Sequence, residues 1–271
     1  MSLTLARLQQ LKRQSGSVPS ETARPQPHPS GGSSMDELRR LLRLRTKTVA
    51  PVRSADRDLP GMEISPGLYL TEERLPDADV PEAFDGTFDR GEPVTSRDLL
   101  FFDTETTSLA GGTGTRAFMV GVSDWHDGHL RIRQLTIASM AAETAMLDTL
   151  SGWVGRQTIL CSYNGKCYDA PLLATRYRLA RRHHPFVGLR HVDLLYPTRR
   201  RYRGVFENCR LATIERRALK VVREDDLPGS EAPAAWLGYL RGGSAELLRR
   251  VQAHNRQDVI SLARLLRHLS G

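Results

Sequence analysis

The chain has 271 residues, with 39 Lys and Arg against 31 Asp and Glu and a formal net charge of +8 at neutral pH. Its length suits one well-buried domain with attachments and excludes two full-sized domains joined by long linkers. The positive excess favours an anionic partner, nucleic acid or an acidic membrane surface, without choosing between them. Cys161, Cys167 and Cys209 form no C-x-x-C pair, which excludes a disulfide framework or a zinc site of ordinary spacing. The N-terminus reads without an apolar signal core, and no stretch approaches the roughly 18 apolar residues that span a bilayer, so a soluble, cytoplasmic protein with no membrane partner is expected.

In chain order, SGSVPSETARPQPHPSGGSS at residues 15–34 holds almost nothing to bury and reads as a flexible linker. Leu3 to Gln14 and Met35 to Lys47 place leucines at helical spacing among arginines, so residues 1–57 are expected to form a basic, largely flexible arm adding loose affinity for nucleic acid. Residues 58–98 read as a small N-terminal extension packing on the core, with a hairpin from Ile64 to Leu75 turning at Pro66-Gly67. Residues 99–271 are expected to form the main domain.

Within it, Leu99 to Thr107, Arg116 to His126 and Leu130 to Ile137 read as three strands, the last two joined by the hairpin signal Asp127-Gly128. Then come a helix from Glu143 to Val154, a strand from Thr158 to Tyr163, a helix from Ala170 to Arg182 capped by Asp169, and a strand from His191 to Tyr196. Helices follow at Ala212 to Leu219, Ala234 to Leu240 and Ala245 to Leu269. Three antiparallel strands followed by alternating helices and strands predict an α/β fold, a mixed sheet with helices on its faces.

The first of these strands runs LLFFDTE and ends in Asp103 and Glu105, two residues apart, so both carboxylates share one face. Such a pair is a natural half of an oxygen-ligand site for a divalent metal, although a D-x-E triplet arises on the order of once by chance in a chain of this size. Company raises its weight. Asp169 opens a helix after a core strand, and Asp258 lies beside the apolar stripe of the last helix. His254, four residues earlier, shares that helical face and suits the deprotonation of an attacking water.

The stretches FFDTETTSL, YNGKCYDAPLL and HNRQDVISL resemble the three exonuclease motifs of the DEDD group in the RNase H-like superfamily, and most closely a bacterial family of RNase H-like exonucleases. The resemblance covers about Leu99 to Leu269, with Arg223 to Pro233 adding to it. It implies an RNase H-like fold and a metal-dependent nuclease cutting single-stranded DNA or RNA from the 3′ end. Asp103, Glu105, Asp169 and Asp258 would hold two Mg2+ or Mn2+ ions, with His254 as general base. The third motif joins the histidine of one DEDD subgroup to the three-residue spacing of the other. A non-catalytic nucleic-acid-binding module and a structure-specific endonuclease are the alternatives.

The resemblance also implies that Thr106, Thr107 and Leu109 line the terminal-nucleotide pocket and that Asn164 touches substrate or orients a ligand. Between Arg176 and Lys220, thirteen Lys and Arg face three acids. Arg200, Arg201 and Arg203, with Tyr202 among them, are expected to contact backbone phosphates. The acidic run Glu224-Asp225-Asp226 reads as a surface loop outside the active site.

Overall fold

The computed structural model describes residues 56–108, 112–224 and 226–271. The expected arm and its helices, Leu109 and Asp225 lie outside the described residues.

Nine strands are described: β1 Met62–Ser65, β2 Leu68–Pro76, β3 Ala83–Phe84, β4 Val94–Thr95, β5 Leu99–Thr106, β6 Ala117–His126, β7 His129–Ile137, β8 Ile159–Ser162 and β9 His191–Asp193. Seven of them form one mixed sheet in the order β1-β2-β7-β6-β5-β8-β9, and β3 pairs with β4 separately. β1, β2, β7, β6 and β5 pair antiparallel, whereas β8 and β9 join in parallel beyond β5. The segment expected as an N-terminal extension contributes β1 and β2 to this sheet. Its hairpin turns at Gly67, whose φ of 74° suits glycine, and β2 continues the main sheet along β7.

Period-two alternation places Phe102 in the core on one face of the sheet and Phe101 in the core on the other. The Phe102 face packs on α1 Glu143–Ser151, α2 Asp169–Leu179 and a later helix, Ala232–Leu240, through Met146, Leu147, Tyr177 and Trp236. The Phe101 face packs on the second half of the C-terminal helix through Val259, Leu262 and Leu266. That helix spans Glu246–Ser270, and its apolar stripe follows the 3.6-residue period.

Three local expectations are corrected. The strand expected to reach Tyr196 stops at Asp193, because the buried Asp193 carboxylate accepts from the N–H groups of Leu195 at 3.1 Å and Asn164 at 2.7 Å and turns the chain into α3 Leu195–Tyr202. Pro197 is tolerated there in the first helical turn. The arginine run therefore lies on a helix. Asp169 is the first residue of α2, not its cap, because its carboxylate turns toward the sheet and accepts the Thr104 hydroxyl. The helix expected over Ala212 to Leu219 is a single α turn, α4 Leu211–Ile214, followed by a wider π turn, Glu215–Leu219. Such widened turns displace the residues they carry, often at functional sites. The helices Ala232–Leu240 and Glu246–Ser270 are α5 and α6.

Candidate metal and catalytic site

Odd-numbered residues of β5 face α6, and this alternation carries Asp103 and Glu105 to the side where Asp258 hangs from the helix. Carboxylate or imidazole atoms of Glu105, His254 and Asp258 all lie within 4.8 Å of one another, a set able to hold a metal ion. Asp169 reaches the same region from the start of α2, anchored by Thr104 of β5.

Electrostatics shows how tightly the acids converge. Burial, followed by the charges of Asp258, Asp169 and Glu105, pushes the Asp103 carboxyl well above the usual carboxylate range. Burial and the charges of Asp258 and Asp169 do the same to Glu105. Burial raises Asp169 to about 6 against the hydrogen bond from Thr104. Asp258 is also raised by burial, opposed by the charge of Arg223. Four mutually repelling acids on rigid elements are stable as anions only beside strong positive charge, and an oxygen-rich donor set of this kind fits a hard divalent cation.

A consequence for stability follows from Asp169. Its folded pKa of about 6 exceeds the ordinary value of 3.8, so the folded state binds that proton more tightly than the unfolded state. The stabilisation is full below 3.8 and is lost as pH rises through about 6. Calorimetric scans in EDTA are expected to show Asp169→Asn flattening the fall in melting temperature across this window. At neutral pH, Mn2+ is expected to raise the wild-type melting temperature more than at pH 5, because protons and metal compete for the same oxygens. A pH-independent metal effect contradicts the assignment.

Sequence reasoning did not find the groups that orient these ligands. Asn255, wholly buried, donates from Nδ2 to Asp103 Oδ2 at 2.9 Å, while its Oδ1 accepts from Gln134 Nε2 at 2.9 Å. Gln134 also donates to the Gln252 carbonyl at 2.8 Å. Thr71, Gln134, Gly121 and Asp103 stand opposite one another on β2, β7, β6 and β5, so this polar row crosses the sheet at one level. Gly121 makes room for it: a Cβ there would lie 2.1 Å from Asn255 Oδ1. Gly121→Ala is expected to cost about 1–3 kcal/mol by overpacking and to weaken Mn2+ binding, both readable by calorimetry. Unchanged stability and metal affinity would rule out the close-approach role.

A second group surrounds Arg223. Its Nε and Nη2 donate to the two oxygens of buried Glu215 at 2.7 and 2.6 Å, and Nη2 also contacts Asp258 Oδ1. Burial opposes the charge on Arg223, but Glu215 and Asp258 outweigh it and raise its pKa. Ser261 donates to Glu215 from α6. The loop beyond Arg223, expected outside the site, instead brings Asp226 Oδ1 within 2.6 Å of His254 Nδ1. The other ring nitrogen, Nε2, stands 3.5 Å from Asp258 Oδ2. The sequence signal was the placement of Arg223 to Pro233 in the exonuclease resemblance. No periodicity in the loop indicates its fold.

The expected substrate residues divide. Asn164 sits at the strand-to-helix junction with φ of 67° and is tied by its N–H to Asp193. Thr106 donates to the Ser108 carbonyl, while the Thr107 hydroxyl accepts the Arg116 N–H at 3.0 Å. Thr104, Thr106, Ser108, Thr115, Tyr168, Asp169 and Leu172 line a cavity of about 380 Å3 beside the acids. Arg200 donates to the Phe88 carbonyl at 2.7 Å and Arg201 to the His268 carbonyl at 3.0 Å, so both tie α3 to the rest of the fold. Arg203 is exposed. Elsewhere in the charge run, Arg176 binds Glu143, Arg182 binds Asp148, and Arg216 and Arg217 bind Glu207. Several arginines of the charge run thus make contacts within the fold, most of them at its exposed surface. Among the described residues, no helix is long and apolar enough to cross a membrane.

A family model described as the RNase H superfamily matches residues 100–270. The Bacillus subtilis (strain 168) protein YprB, itself uncharacterized, is 34% identical over 173 residues, which are 64% of this chain and 42% of that protein. The family B DNA polymerase of the archaeon Pyrobaculum calidifontis is similar in structure, with a TM-score of 0.52 and 18% identity over 66% of this chain and 25% of the polymerase. E. coli exonuclease I in complex with an oligonucleotide gives a TM-score of 0.38 at 14% identity, covering 60% of this chain and 44% of that one. The chain spans less than half the length of each of these proteins.

Proposed function

Because the chain belongs to the RNase H superfamily, we propose that its carboxylate cluster makes it a metal-dependent nuclease, cutting single-stranded DNA or RNA from the 3′ end. The observation that carries this reading is the meeting of Glu105, Asp258 and His254 ligand atoms within 4.8 Å of one another, with Asp103 on the same strand face and the charge of Asp169 raising both Asp103 and Glu105, a set of like charges that a cation would relieve. The four acids would hold two Mg2+ or Mn2+ ions, which when bound supply Lewis-acid stabilisation of the phosphate and a more acidic nucleophile.

The chain's own residues take the remaining tasks. With Asp226 2.6 Å from Nδ1, His254 is best placed with its proton on that nitrogen, leaving Nε2 free to accept one from water on the Asp258 side. The cavity between the acids and Leu172 suits the terminal nucleotide, with exposed Tyr168 at its rim offering a ring for a base. Asn255 and Gln134 hold Asp103 in orientation from behind.

Linear and circular single strands of one sequence separate exonuclease from endonuclease. Shortening of the 5′-labelled linear strand through a ladder, with the circle left intact, is the expected result. Nicking of the circle would establish an endonuclease. Binding of both strands without cleavage in any metal would favour a non-catalytic binding module.

A further inference from the structure

We propose that Arg223 is a further catalytic residue of this site, its guanidinium binding a nonbridging oxygen of the phosphate being cut. The inference rests on the nuclease reading above and adds a group that the three sequence motifs do not contain.

The geometry supplies the argument. Glu215, with a side chain 1% exposed, receives Nε and Nη2 of Arg223 in a two-point fork. Such a pair fixes the plane of the guanidinium, which a single point charge would not do. Glu215 is itself presented by the π turn after α4 and held by Ser261 of α6. The acceptor side of the fork is therefore held by two elements of the fold, and Arg223 reaches it from the loop that follows the π turn.

The outward edge of the guanidinium faces the acids. Nη2 contacts Asp258, but among the described residues Nη1 has no carboxylate or carbonyl oxygen within hydrogen-bonding reach. It lies 3.1 Å from His254 Nδ1, which carries a proton if it donates to Asp226 at 2.6 Å and then cannot accept. Asp226 Oδ2 stands 3.7 Å from Nη1, beyond hydrogen-bonding reach. A rigid, half-satisfied guanidinium edge beside carboxylates that would hold cations is complementary to one ligand chemistry, a phosphate oxygen. Charge developing on that oxygen in the transition state would strengthen the contact, so Arg223 should act mainly on kcat.

The test compares full-length Arg223→Gln and Arg223→Lys with the wild type. It measures melting temperature, Mn2+ affinity by calorimetry without substrate, and kcat and KM on a labelled single strand. Arg223→Gln is expected to keep Mn2+ affinity and KM within a few-fold, to lose kcat by about a hundredfold or more, and to regain part of it when guanidinium ion is added below denaturing concentration. Arg223→Lys should recover little, because an ammonium lacks the fork. If Arg223→Gln does not fold, Arg223→Lys carries the same comparison. A kcat within a few-fold of wild type overturns the proposal. So does a loss of kcat matched by an equal loss of Mn2+ affinity with no guanidinium response, the signature of a residue that only supports Asp258. A wild-type protein inactive on every strand in every metal overturns the nuclease reading itself, and this proposal with it.

Discussion

Asp258→Asn is expected to lower turnover on a single strand by about a thousandfold or more while leaving strand affinity within a few-fold. The amide matches the carboxylate in shape but not in charge, and Asp258 stands where the ligand atoms of Glu105 and His254 meet its own within 4.8 Å. Losing that anion removes an oxygen proposed to hold metal and the carboxylate charge 3.5 Å from His254 Nε2. It leaves the Glu215–Arg223 fork intact, so the fold should survive. Single-turnover rates, a binding isotherm in EDTA and a melting curve together separate lost chemistry from lost structure. Near-normal turnover would remove Asp258 from the site.

The largest effect on stability is expected from Glu143→Gln. Glu143 on α1 receives Nε and Nη2 of Arg176 at 2.6 and 2.7 Å and also pairs with Arg116, while Arg176 Nη1 donates to the Thr113 carbonyl at 3.0 Å. With side chains only 9% and 6% exposed, Glu143 and Arg176 are an ion pair in which removing one partner strands the other. That typically costs about 3–5 kcal/mol, or roughly 10 °C in a domain of this size. The pair also anchors the turn into β6, so limited proteolysis near residues 112–116 should accelerate. Glu72→Gln provides the contrast. Its partner Arg74 is 50% exposed, and a surface pair contributes little. Equal melting temperatures for the two variants would show that the buried pair does not brace the fold.

The parts of the fold written in short-range signals were legible. The period-two runs of β5, β6 and β7 and the Asp127-Gly128 turn follow from local chemistry, and so does the apolar stripe of α6. The same alternation identified Asp103 and Glu105 as sharing a face, and the helical stripe brought Asp258 toward it. Features depending on distant partners were not legible. Asp193 ends its strand because it also binds the Asn164 turn 29 positions away. The contacts that Arg200 and Arg201 of α3 make to the carbonyls of Phe88 and His268 could not be read from the arginine run, since those carbonyls come from distant segments. Asn255 carried no signal of its own, because its role depends on the absence of a side chain at Gly121, two strands from any motif-bearing helix in sequence. The loop holding Arg223 and Asp226 lacks periodicity, and only its closure onto His254 gives it meaning.

The central claim is tested most directly by incubating 5′-labelled single-stranded DNA and RNA with the protein in Mn2+, in Mg2+ and in EDTA, alongside an Asp103→Ala/Glu105→Ala double variant. Metal-dependent shortening from the 3′ end, absent in EDTA and in the double variant, is the predicted result. Strand binding without cleavage in either metal, or cleavage that the double variant retains, would contradict it.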